Sequence, residues 1–152
     1  MAVRYFDDLA LNEAILVGRY TAATQEALDL ARRWEPQPYH IDDDAARDSI
    51  YGRLTLCSLH LFAICTRLFF EMDNPIAVLG MLGKDELRLP APAFPGEELR
   101  YVTTCTEKRA STSKNDRGIV VLSDRLVRPD DTAVLTQNVT LLVSRRAPHS
   151  RT

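Results

Sequence analysis

The second half of the chain alternates apolar and polar side chains, a pattern typical of half-buried β-strands. β-branched residues are frequent in the alternating segments, which also favours extended structure. Strands are predicted over residues 14–21, 86–89, 99–107, 118–128 and 133–144. The turn sequence RPDDT joins the last two of these, and it predicts an antiparallel hairpin.

The first half carries helical patterns. A helix opening at Thr24 is expected to stop near Glu35, because Pro36 and Pro38 favour a stiff, non-helical turn through Tyr39. The aspartates at 42–44 supply cap oxygens for a short helix that follows. Residues 54–70 are apolar on nearly every face, which predicts a central helix surrounded by protein. An α+β architecture follows, in which an antiparallel sheet wraps around this long helix.

Composition indicates one globular domain. The chain has 152 residues, 45% of them hydrophobic, and a formal net charge of -2. A single domain over residues 1–146 with a flexible tail over 147–152 is expected. The nearly balanced charge gives no case for nucleic-acid binding, which relies on clustered cations. The apolar stretch over 54–70 is shorter than the roughly 20 residues that span a bilayer, so no membrane segment is expected.

The N-terminal sequence shows no secretory signal pattern, and a cytoplasmic protein is therefore expected. Cys57, Cys65 and Cys105 form no CxxC pair and no zinc-like spacing with histidine, so they are expected to be reduced thiols that pack in the core. The run of aspartates at 42–44 meets no second acidic cluster. No metal site is predicted.

Two stretches of the chain are similar in sequence to a known protein family. The segments RRWEPQPYHIDDDAARDSIYGRLTLCSLHL and KDELRLPAPAFPGEEL resemble the MaoC-like dehydratases, a hot-dog family that includes R-specific enoyl-CoA hydratases. The similarity runs from about Tyr5 to Arg145. The family places an aspartate five residues before a histidine. The similar subgroup commonly reads DPQPFH and ASGWH, where this chain reads EPQPYH and LCSLH.

The resemblance implies addition of water to a trans-2-enoyl thioester, or the reverse dehydration, in fatty acid metabolism. His40 matches the family's catalytic histidine and Glu35 its catalytic aspartate, and the pair would activate one water. Ser58 takes the position of a glycine at the start of the central helix, where backbone N–H groups form the oxyanion hole. Because Glu35 adds a methylene and Ser58 restores a Cβ, reduced activity is expected. The resemblance implies no cofactor beyond the thioester substrate.

Substrate contacts are also implied. Candidate liners of an acyl tunnel beside the central helix are Leu56, Leu59 and Phe62, although such residues at helical spacing are more often plain core. Candidates for binding the phosphates of coenzyme A or of an acyl carrier protein are Lys108, Arg109 and Arg117. A solvated turn explains these three cations equally well.

The family's active sites lie between protomers, and uncovered sheet edges invite pairing, so a homodimer is expected. Three functions stay open at this point. A hydratase or dehydratase predicts that Glu35 and His40 face one water. A thioesterase on the same fold needs a carboxylate or water near the helix start without that pair. A catalytically weakened acyl-CoA binding protein would keep the pocket while Glu35 turns away from His40.

Overall fold

Five strands form one antiparallel sheet in the computed structural model, which describes residues 2–147. The strands are β1 (Ala14–Thr21), β2 (Val78–Arg88), β3 (Glu98–Ala110), β4 (Arg117–Val127) and β5 (Ala133–Ser144). Their order across the sheet is β1-β3-β4-β5-β2, so β1 and β2 form its edges. Most of the tail predicted over 147–152 lies outside the described residues, and that tail stays a prediction.

The predicted strands are present, but β2 is much longer than expected. Only residues 86–89 were predicted, whereas the strand begins at Val78. Its pairing with β5 shifts register near Gly80 and again near Gly83, so its side chains do not alternate in a simple way. The hairpin predicted from RPDDT joins β4 to β5 as expected, and the N–H of Arg128 donates to the carbonyl of Thr132 across it.

The described residues also form a short 3-10 helix (Phe6–Asp8) and four α-helices: α1 (Thr24–Trp34), α2 (Pro38–Ile41), α3 (Asp43–Asp48) and α4 (Ser58–Glu71). The capping expectation is confirmed, because Asp42 Oδ1 accepts from the N–H of Ala45 at 2.8 Å. The stiff turn expected through Tyr39 is wrong in part. Pro38 opens α2, since a proline is tolerated at the first helical position, where its missing N–H has no partner to lose.

The central helix is shorter than the predicted 54–70. It begins at Ser58, and residues 54–57 are buried but belong to neither a helix nor a strand, with Cys57 in an extended conformation. The N–H of Leu56 donates to the carbonyl of Ala93 at 2.8 Å, which ties this extended segment to the chain just before β3. Hydrophobicity alone does not separate a buried extended segment from a buried helix, which explains the error.

One core joins the helix to the sheet. The buried face of α4 carries Leu61, Ile64, Cys65 and Leu68. These side chains belong to one cluster with inward-facing residues of β3, β4 and β5, among them Leu99, Leu122, Leu126, Leu135 and Val143. The expected wrapping of a sheet around a central helix is therefore confirmed.

The three cysteines pack as expected. All are free and buried. Burial raises the pKa of the Cys65 thiol to about 12, and burial also raises the pKa of Cys57. A thiol held in its neutral form is a poor nucleophile and a poor metal ligand, so these side chains act as small apolar groups.

A buried carboxyl group lies within the sheet. Asp124 is 1% exposed. It accepts hydrogen bonds from Tyr101 Oη at 2.7 Å, Thr103 Oγ1 at 2.7 Å and Gln137 Nε2 at 2.9 Å. Burial raises the pKa of Asp124 even though these three bonds act in the opposite direction. Desolvation of the charged form therefore outweighs the hydrogen bonds.

This carboxyl group makes folding stability depend on pH. Because the pKa of Asp124 is raised on folding, its stabilising contribution is present below about pH 4 and is lost as the pH rises through the folded-state pKa. We expect the free energy of unfolding of the wild type to fall relative to that of Asp124→Asn as the pH increases. Urea unfolding of both proteins between pH 4 and pH 8 measures this difference, and a constant difference would contradict the assignment.

Candidate active site

The two residues proposed as acid and base are placed by the end of α1 and by α2. Glu35 follows the last residue of α1, and its N–H still donates to the carbonyl of Ala31 at 2.9 Å. The N–H of His40 donates to the carbonyl of Gln37 at 2.8 Å, which fixes His40 in the single turn of α2. Backbone hydrogen bonds on either side of Pro36 thus fix the positions of both residues.

The ring of His40 is buried and held at one nitrogen. Its Nδ1 lies 3.0 Å from the carbonyl oxygen of Thr55 and 3.1 Å from Thr55 Oγ1. A carbonyl oxygen only accepts, so Nδ1 carries a hydrogen, and in the neutral ring the lone pair is on Nε2. The ring of Tyr39 packs beside it, with 4.5 Å between ring centroids. Nε2 is therefore the ring nitrogen of His40 that these contacts leave free.

The carboxylate of Glu35 lies at the start of α4. It accepts a hydrogen bond from Ser58 Oγ at 2.9 Å and another from the N–H of Leu59 at 3.2 Å. The partial positive charge of a helix N-terminus favours a carboxylate there. Glu35 and Ser58, the two residues that depart from the family's pattern, are therefore hydrogen-bonded to each other. The longer side chain of glutamate and the hydroxyl of serine form one contact.

A cavity of about 290 Å³ joins these groups. A water occupies about 30 Å³ in the liquid, so the space holds several waters or part of a substrate. Its lining residues are Glu35, Tyr39, His40, Tyr51, Thr55, Leu56, Ser58, Leu61 and residues 89–93. No direct hydrogen bond joins Glu35 to His40 within residues 2–147. Both side chains face the same space.

Only one of the three residues predicted to line an acyl tunnel lies at the cavity. Leu56 lines the cavity, whereas Leu59 and Phe62 do not. Leu59 is 41% exposed, and Phe62 is half-buried against the core. Sequence reasoning missed Leu61 and the segment 89–93, where Pro90 and Pro92 alternate with small or apolar residues. That alternation signals an extended segment but says nothing about which side it faces.

The candidate phosphate-binding cations lie on the β3–β4 hairpin. Lys108 Nζ donates to the carbonyl of Leu9 at 2.6 Å and lies 4.8 Å from the ring centroid of Phe6. The Nε of Arg117 donates to Asp116 at 2.7 Å. Neither these two residues nor Arg109 line the cavity beside His40. Phosphate binding by this hairpin stays a prediction.

Two further properties bear on the class of protein. In the part of the chain that the structure describes, His, Cys, Asp and Glu side chains form no cluster of three or more that would hold a metal ion. No helix between residues 2 and 147 is both long and apolar enough to cross a bilayer.

A single antiparallel sheet around a central helix defines a hot-dog protein. The MaoC like domain family matches residues 19–125, and the chain belongs to this family. A comparison with curated proteins finds no significant match.

Solved structures with the same fold include three informative relatives. A MaoC-like dehydratase from Rhodospirillum rubrum is 31% identical, with a TM-score of 0.88, and the match covers 95% of this chain and 99% of that chain. An R-hydratase from Pseudomonas aeruginosa is 15% identical, with a TM-score of 0.71 and coverage of 97% and 94%. A conserved hypothetical protein from Mycobacterium tuberculosis with a double hotdog fold is 16% identical, with a TM-score of 0.76 and coverage of 99% and 47%.

Proposed function

We propose that this protein adds water to a trans-2-enoyl thioester, or removes it from the 3-hydroxyacyl product, with His40 and Glu35 as the reacting groups. The observation that carries the proposal is that both side chains line one cavity at the start of α4. Membership of the MaoC family supports hydration or dehydration of an acyl thioester in general. The enoyl substrate and the roles of the two residues belong to the proposal.

In the proposed reaction, His40 Nε2 removes a proton from a water whose oxygen bonds to C3 of the acyl group. The electrons of the C2=C3 double bond move toward the thioester carbonyl. The carboxylate of Glu35 accepts the water's proton from His40 and gives it to C2, so both groups return to their starting forms. Acid and base thus come from one short segment of chain, and the scheme uses no cofactor apart from the thioester itself.

The start of α4 supplies stabilisation for the negative charge on the thioester oxygen. The N–H of Leu59 is held by Glu35. The N–H of Ser58 donates no hydrogen bond to any of the described residues. We assign this Ser58 amide as the donor to the thioester oxygen, because it lies in the first turn of a helix and lines the cavity.

The first test is a pair of assays on one substrate, a short trans-2-enoyl-CoA thioester. Loss of the enoyl absorbance measures hydration, and a thiol reagent measures release of free coenzyme A. Hydration without thiol release is the expected result. Thiol release would favour the thioesterase alternative. Binding of the thioester with neither reaction would favour the acyl-CoA binding protein.

A homodimer formed through β2 completes the proposal. This edge strand exposes Leu79, Met81 and Leu82, each more than half exposed, and its outer backbone groups have no partner strand in the described chain. An unpaired apolar edge of this kind is usually covered in a native protein. The relative with a double hotdog fold is about twice as long as this chain, which supports pairing of two such units.

The proposed interface predicts that a charged side chain on β2 prevents dimerisation. Leu82→Glu is expected to convert the dimer to a monomer, because a buried unpaired carboxylate at an interface opposes association. Leu16→Glu is the matched control, since Leu16 is similarly exposed (49% against 57%) but lies on the opposite edge, β1. Size-exclusion chromatography with light scattering gives both masses. A dimeric Leu82→Glu protein or a monomeric control would contradict this interface.

A further inference from the structure

A compact group of charged side chains surrounds one buried ring close to the cavity. The guanidinium carbon of Arg53 lies 3.6 Å from the ring centroid of Phe94, and that of Arg128 lies 4.8 Å from it. Glu97 bonds to Arg128 Nε at 3.1 Å and lies 3.9 Å from an Nη of Arg53. The group therefore holds two positive charges against one negative charge.

The donors of Arg53 are largely unused. Its contact with Glu97 is too long for a hydrogen bond, and the guanidinium donates to no other group in the described part of the chain. The side chain is 56% exposed, yet its ring contact with Phe94 holds it against the protein. Arg128 is only 22% exposed, and Glu97 engages its Nε. The cluster thus presents an oriented, accessible guanidinium with a net positive charge.

Chain connections place this cluster beside the candidate active site. Arg53 lies between Tyr51 and Thr55, which both line the cavity, and two residues of chain span at most about 7 Å. Phe94 directly follows Ala93, another lining residue. The hydrogen bond between Leu56 and Ala93 joins the two segments. Arg53 and Phe94 therefore lie close to the edge of the cavity, although neither lines it.

We propose that Arg53, supported by Arg128, binds a phosphate group of the thioester carrier. This inference rests on the proposed function, which places an acyl thioester in the cavity. The planar fork of a guanidinium matches the oxygens of a phosphate, and the surplus positive charge of the cluster favours an anion. The phosphate is either the one on the pantetheine arm, which coenzyme A and acyl carrier proteins share, or an outer phosphate that only coenzyme A carries.

The proposal competes with the assignment of phosphate binding to the β3–β4 hairpin. Lys108 and Arg117 in that hairpin already have acceptors within the protein, whereas Arg53 has none at hydrogen-bond distance. Arg67 on α4 provides a matched control, because it carries the same charge, its side chain is similarly exposed (62% against 56%) and it does not line the cavity.

The test measures binding of saturated thioesters, which cannot be hydrated. The ligands are butyryl-CoA, butyryl-phosphopantetheine and butyryl-pantetheine, and titration calorimetry gives their dissociation constants for the wild type, Arg53→Gln and Arg67→Gln. We expect Arg53→Gln to weaken binding of butyryl-CoA roughly tenfold or more, as for the loss of a charged hydrogen bond. Binding of butyryl-pantetheine should not change, and Arg67→Gln should bind all three ligands like the wild type.

The pattern across the ligands identifies the phosphate. Weaker binding of both phosphorylated ligands assigns the phosphate of the pantetheine arm, and weaker binding of butyryl-CoA alone assigns an outer phosphate. An equal effect of Arg53→Gln on all three ligands, no effect on any, or the same loss of binding in Arg67→Gln would overturn the proposal. If Arg53→Gln binds like the wild type while the wild type hydrates enoyl-CoA, only this inference fails. If the wild type binds none of the thioesters, the proposed function fails with it.

Discussion

Replacing His40 with alanine is expected to lower kcat for hydration by about 10²- to 10⁴-fold, the usual contribution of a positioned general base. Nε2 is the ring nitrogen left free by the bond between Nδ1 and Thr55, and alanine removes it together with the ring. Loss of enoyl absorbance under saturating substrate measures kcat. The thermal midpoint of unfolding, recorded in parallel, shows whether the variant remains folded.

Thr55→Val provides a control for this experiment. Valine removes the hydroxyl that lies 3.1 Å from Nδ1 but leaves the backbone carbonyl that holds the ring. A much smaller loss of kcat is therefore expected for Thr55→Val than for His40→Ala. If folded His40→Ala retained activity within about tenfold of the wild type, His40 would not be the base and the proposed reaction would be wrong.

Glu35→Gln is expected to separate the catalytic role of Glu35 from its structural role. The amide oxygen of glutamine still accepts hydrogen bonds at the start of α4, where the carboxylate now meets Ser58 and Leu59. The amide cannot give a proton to C2, so kcat should fall by about 10²-fold or more while stability changes little. The enoyl assay and urea unfolding measure the two quantities on the same preparation.

Glu35→Ala is the matching structural variant. It removes the acceptor as well as the acid, so we expect the same loss of kcat together with a loss of about 1 kcal/mol in the free energy of unfolding, the usual value for a helix-start acceptor. Equal stability of the alanine and glutamine variants would show that the contact with Ser58 and Leu59 contributes nothing. Activity of Glu35→Gln close to that of the wild type would contradict the acid role.

The family's own residue pair offers a complementary test. Asp at position 35 draws the carboxylate back by one methylene, away from the hydroxyl of Ser58 with which it is now paired. The double variant Glu35→Asp with Ser58→Gly restores both residues of the subgroup's pattern at once. Because the two native residues contact each other, their effects on kcat should not be additive when the single and double variants are compared.

The sequence predicts the end of α1, the hairpin and every strand except most of β2 because each depends on local chemistry. Pro36 limits α1 wherever the rest of the chain lies, and RPDDT turns by its own conformational preferences. The contact between Glu35 and Ser58 has no such local origin, since 23 residues separate the two positions. Two other features also depend on tertiary packing: the residue at which α4 begins, and the side of residues 89–93 that faces the cavity. The periodicity of the sequence does not encode either of them.

The order of strands in the sheet has a consequence for synthesis of the chain. β2 pairs only with β5 in the described structure, and β3 and β4 are made between them. A ribosome adding roughly 5–20 residues per second takes seconds to reach β5 after β2 has emerged. During that interval Leu79 and Leu82 are exposed on a segment that has no partner strand on either side. Unpaired apolar segments of this kind aggregate and bind chaperones. The chain therefore stays prone to aggregation until β5 has been synthesised and has paired with β2.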